Sequence, residues 1–231
     1  MPSLTSLLQE PGPTLIASLP RNDADLAQAA AAGGAHALKV HIHAHHQASG
    51  TGFGDLATER AALEAIRSST DGPIGVVVGD GSAVATPQEV QELADMGMDF
   101  IDAYTRHMPA WMLRDPEMEI MGALAPEDSP EEWAVLAGLF DCMEAAVLPH
   151  ERYGTALTAH DLSLYSRIRA SVDRPLVVPT QLALTSQDVP LLAAMGMEAI
   201  MIGAIVTGKD TAGMESACRD FRAACDQIPR Q

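Results

Sequence analysis

The stretch PLVVPTQLALTSQDVPLLAAMGMEAIMIGAIVTG, residues 175–208, decides the fold. It opens on an apolar run at 175–180, continues through a helix-like segment ending Ala194, Met195, Gly196, and closes on a second apolar run at 198–203. Glycine just past a helix takes up the left-handed conformation that other residues resist, so Gly196 marks the turn back into a strand. Strand, helix and strand in that order make one unit of a parallel α/β sheet.

The same alternation runs back to the start of the chain. Strand-like runs at 14–19, 36–43, 73–79, 98–104, 119–125 and 142–148 precede these two and bring the total to eight. Between them lie helix-start signals: Thr86 and Ser129 are hydroxyl N-caps, each followed by proline at the first helical position and by acids in the first turn. Ala94, Asp95, Met96 and Gly97 repeat the glycine ending. Eight alternations with no domain-breaking linker predict a single (β/α)8 TIM barrel over residues 1–231, with an open doubly wound sheet as the alternative. The connection at 105–118 has room for only a short helix. Residues 1–13, broken by Pro11 and Pro13, read as a lead-in placed to cover the barrel floor.

Composition narrows the function classes. A chain of 231 residues, 47% of them apolar, can bury one large core. The formal charge of −17 argues against nucleic acid or an anionic membrane as partner, because such binding needs clustered Lys and Arg. A small anionic substrate stays compatible, since backbone N–H groups and one or two cations act at close range. No uncharged apolar run reaches about eighteen residues, and the first residues lack a basic leader, so a cytoplasmic location off the membrane is expected. Cys142, Cys218 and Cys225 read as buried thiols. A homo-oligomer is left open.

Five of the eight histidines crowd into HALKVHIHAHH, residues 36–46, together with one of only two lysines. On a strand, Leu38, Val40 and Ile42 point one way while Lys39, His41 and His43 point the other. Barrel chemistry sits at the C-terminal strand ends, and that rule picks the candidates. The catalytic set is Lys39, His41, His43, Asp80 and Asp102; Arg106, His150, Thr180, Gln181, Gly203 and Ala204 form the substrate-binding set. Lys39 reads either as a base or Schiff-base amine with a lowered pKa, or as an ammonium paired with substrate, Asp80 or Asp102. His41 and His43 read as acid, base or positioning groups with no cofactor, or alternatively as two ligands of a divalent metal. The glycines at 50–54 suit a mobile lid. Glu144, near the start of its predicted strand, reads as structural.

The pattern of 175–208 resembles the last two strand units of the ribulose-phosphate-binding barrels, most closely those of N-acetylmannosamine-6-phosphate 2-epimerase. Fainter likeness extends to 34–39, 73–80, 86–90 and 97–103. The resemblance implies a substrate phosphate held by small residues at Gly203 and Ala204. It also departs from the family: the epimerase's lysine falls at Val78, its acid at Thr180, and its phosphate-loop glycine at Gln181. The expected activity is therefore an isomerase, epimerase or carbon–carbon lyase working by proton transfer next to a carbonyl on a small phosphorylated or anionic sugar-like substrate. A metal-dependent hydrolase or epimerase at His41 and His43, and a non-catalytic phosphate-ligand-binding barrel, are the alternatives.

Overall fold

The computed structural model describes residues 3–81, 83–114 and 117–228. Eight parallel strands close into a barrel: β1 (Thr14–Ser18), β2 (Ala37–His41), β5 (Ile74–Val77), β6 (Phe100–Tyr104), β7 (Glu119–Ala123), β8 (Cys142–Glu144), β9 (Leu176–Pro179) and β10 (Ala199–Ile202). Strands β3 (His45–His46) and β4 (Thr51–Gly52) form a separate antiparallel hairpin in the loop after β2. The closed TIM barrel is thus the observed fold, and the open sheet is not.

Helices α2 (Ala24–Ala32), α3 (Leu56–Arg67), α4 (Pro87–Asp95), α5 (Pro130–Ala137), α6 (Ala159–Ser171), α7 (Val189–Ala194), α8 (Ala204–Thr207) and α9 (Thr211–Asp226) follow the barrel strands. Thr86 and Ser129 each form a complete capping box with Glu89 and Glu132, which satisfies otherwise unpaired N–H groups at the helix start. Gly97 and Gly196 take φ of 80° and 83° where α4 and α7 end. Among its described residues, the 105–118 connection holds two 3-10 turns, Thr105–His107 and Ala110–Leu113.

The apolar residues split into two cores. One lies between strands and helices and takes in Leu38, Val40, Ile42 and Val78; the other fills the barrel interior with Ile16, Phe100, Met121, Cys142 and Val177. Helix α1 (Leu4–Leu8) closes the floor, because Leu4 and Leu8 belong to the interior cluster. The three cysteines are free and buried. No described helix is long and apolar enough to cross a membrane.

Several strands are shorter than their expected spans, and two of them end early for reasons remote in sequence. The run at 142–148 pairs only as far as Glu144, and Ala145 N–H still bonds Val177 O; beyond it, Gln181 takes over the backbone. Its amide oxygen accepts from Leu148 N–H at 3.1 Å and its NH2 donates to Ala146 O and Leu148 O. Strand β2 stops at His41, and His43 has φ of 51° with its N–H on Gly54 O.

Candidate active site

Barrel interiors stack side chains in layers drawn from alternate strands. Counting barrel strands in order, the second, fourth, sixth and eighth contribute Lys39, Asp102, Glu144 and Met201 to the lining of one cavity. Three of these four are charged residue types, in a position usually filled by branched apolar groups. The odd-numbered strands contribute Ser18, Val77, Ala123 and Pro179, all short, so a cavity of about 160 Å³ stays open at the C-terminal strand ends.

Lys39 Nζ donates to Asp102 Oδ2 at 2.8 Å and to Glu144 Oε2 at 2.7 Å, and all three residues are buried. Burial alone would lower the lysine's pKa; the adjacent Asp102 and Glu144 carboxylates outweigh it and raise the value. Burial, with the Asp102 charge adding and Lys39 opposing, pushes Glu144 up to about 8. The cluster sets one ammonium beside two carboxyls, of which Glu144 is the one pushed toward its protonated form. Lys39 held as an ammonium is unsuited to act as a free amine nucleophile. Two of its three donors are used by the carboxylates, leaving one for the cavity.

His41 also lines the cavity, with Phe53 stacked on it at 4.7 Å and 22°, and with His46 at 4.7 Å. Burial, then His46 and Lys39, lower its pKa well below the ordinary histidine value. Burial, Lys39 and His45 likewise bring His46 down to about 4, so both rings are neutral at pH 7. The β3–β4 hairpin is therefore a cover over His41, with His45 N–H bonded to Asp80 Oδ2 at 2.8 Å across the mouth.

The other candidates are distributed as follows. His43 Nε2 bonds Glu89 Oε1 at 2.8 Å, so its ring is turned to α4 and not to the cavity. His41 and His43 consequently do not converge as a ligand pair, and among the described residues no group of three or more His, Cys, Asp or Glu is arranged to hold a metal ion. Arg106 is ion-paired with Asp128 in a neighbouring hollow, outside the main cavity. His150 lines the mouth edge-on to Tyr153 at 5.1 Å. Thr180 Oγ1 accepts from Gly203 N–H at 2.9 Å, and both residues line the cavity, whereas Ala204 opens α8 one residue beyond. Gln181, besides holding the 146–148 backbone, donates to Tyr153 Oη at 2.9 Å. Val78, where the epimerase pattern has its lysine, faces the helical layer.

Sequence reasoning missed Glu144 and Ser18 as lining groups. Each had a usable signal: a lone acid in the apolar run 142–148, and a hydroxyl at the C-terminal end of the run 14–18.

No family model and no curated protein sequence matches this chain. Among solved structures it resembles a mutant (E103A) tryptophan synthase alpha-subunit from Pyrococcus furiosus, with TM-score 0.71 and 14% identity over 93% of this chain and 100% of that one. Tryptophan synthase from M. tuberculosis matches with TM-score 0.68 and 13% identity over 93% of each chain. Thiamine phosphate pyrophosphorylase from Pyrococcus furiosus matches with TM-score 0.67 and 14% identity over 98% of this chain and 99% of that one. At these identities the likeness establishes the (β/α)8 barrel and leaves the chemistry to the site itself.

Proposed function

We propose that the chain is an enzyme that moves a proton next to the carbonyl of a small anionic, sugar-like substrate, as an isomerase, epimerase or carbon–carbon lyase. The observation that carries this reading is the buried Lys39–Asp102–Glu144 cluster at the base of a cavity on the C-terminal face. Proton abstraction beside a carbonyl leaves negative charge on the carbonyl oxygen, and the unused Lys39 N–H meets it in a water-poor site where a fixed charge acts strongly. Asp102 holds the ammonium in place. Glu144, with a pKa near the working pH, supplies or takes up a proton. His41, neutral and facing the same space, is the second candidate for proton transfer. The names of the structural neighbours include a phosphorylated compound, which supports an anionic substrate. We place the anion at the rim beside Gly203, which lines the cavity together with Thr180.

The test is proton exchange in deuterated water. Ribulose 5-phosphate and dihydroxyacetone phosphate are incubated with the protein, and C–H loss is followed by NMR. Exchange is expected with the intact chain and a fall of about a thousandfold in Lys39→Met, in line with the loss of a central electrostatic group. Wild-type exchange by a folded Lys39→Met would remove Lys39 from the chemistry. Binding without exchange would favour a ligand-binding barrel.

A further inference from the structure

Three buried polar atoms on residues that line the cavity have no hydrogen-bond partner among the described residues: Ser18 Oγ, His41 Nδ1 and Asp102 Oδ1. Their residues are 5%, 2% and 2% exposed. Unpaired buried polar atoms are costly, and three on residues that line one cavity call for partners supplied from outside the chain. We infer that the inner end of this cavity receives the hydroxyl-bearing end of the substrate, with Ser18 as a specificity residue and the anion directed outward to the rim. This deepens the proposed function and rests on its placement of substrate in the cavity.

The chemistry of the three atoms selects the ligand. A carboxylate oxygen in the place of Asp102 Oδ1 accepts and so takes a donor; Ser18 Oγ donates and accepts; a neutral imidazole does one at each nitrogen. Hydroxyl groups serve all three. A carboxylate or phosphate cannot donate to Asp102, and the Lys39 charge that would attract it is already shared with Asp102 and Glu144. An ammonium would satisfy Asp102 but would lie beside Lys39. Ser18 stands between the two ends of the site: on β1 it is in register with Lys39, and a Cβ placed on Gly203 would lie 3.6 Å from its own Cβ. A short polyol chain therefore runs from Asp102 past Ser18 to the rim at Gly203.

The experiment compares two phosphates that lack a reactive carbonyl, so that binding is read apart from turnover. Glycerol 3-phosphate ends in hydroxyls; 2-phosphoglycolate carries a carboxylate there. Calorimetric titration of the intact chain should give at least about tenfold tighter binding of glycerol 3-phosphate. Ser18→Ala, which removes one buried hydroxyl and adds no volume, should weaken that ligand about tenfold and leave 2-phosphoglycolate unchanged. Equal, reversed or absent binding of glycerol 3-phosphate by the intact chain overturns the inference, as does a folded Ser18→Ala with unchanged affinity. Deuterium exchange separates this result from the underlying reading. The hydroxyl preference without exchange sinks proton transfer alone, and exchange without the preference sinks the inference alone.

Discussion

Glu144 shares one ammonium with Asp102, and two carboxyls beside a single cation in a dry site resist ionising together. Its ordinary pKa of 4.5 rises to about 8 on folding, with burial as the main cause. Between these values the folded chain binds more protons than the unfolded one. The stability tied to this group is therefore complete below about pH 4.5 and is lost as pH rises through about 8. Glutamine imitates the protonated acid at every pH, so Glu144→Gln should gain in melting temperature relative to wild type as pH is raised from 5 to 9. Calorimetry across that range checks it, and a flat difference would mean that Glu144 is already ionised in the folded chain at low pH. The titration belongs to the three-residue cluster, so the alkaline limb of the proton-exchange rate should track the same midpoint and disappear in the variant.

At the scale of elements, the loop after β2 decides what His41 can do. Phe53, 8% exposed, covers one face of that ring and His46 packs near it, and the low pKa of His41 follows first from this burial. Phe53→Ala should cost about 3 kcal/mol, the low end for a large core truncation, because the site is at the cavity edge. It should also move the His41 titration up toward 6.5, read from the imidazole carbon proton by NMR. An unmoved titration would show that neighbouring charges, not the hairpin cover, set the value. The same loop shows which features are legible in a sequence. Period-two alternation places Lys39 and His41 on the inner face because it depends on local geometry. It fails at His43, where the partners are Gly54 O and Glu89 Oε1, the latter 46 residues away, and nothing in HALKVHIHAHH marks the strand end. The capping boxes at Thr86 and Ser129 are legible for the converse reason, since donor and acceptor lie three residues apart. Glu144 is concealed by strand length: the apolar run suggests seven residues, and only the Gln181 amide, 33 residues beyond Leu148, shows why pairing ends at Glu144.

Across the whole molecule, the barrel separates what holds it together from what lines its cavity. The floor is sealed by α1, whose Leu4 and Leu8 join Ile16, Phe100 and Met121 beneath the charged layer, while the cavity opens at the opposite end. Thr5 ties this helix to the foot of β7, its N–H reaching Glu119 Oε2 at 3.1 Å. Conditions at one end should thus change stability with little effect at the other. Leu4 is fully buried, and Leu4→Ala removes its packing and leaves a void, at an expected cost of about 2–5 kcal/mol. Urea unfolding should show this as a lower midpoint at unchanged slope, since the surface exposed on unfolding hardly changes. The affinity for glycerol 3-phosphate, measured well below that midpoint, should stay within about twofold of wild type, because coupling between distant positions with no shared partners is small. A Leu4→Ala chain that loses both stability and affinity would show that the floor and the charged layer move as one, and the Lys39 cluster would then depend on packing beneath it for its position.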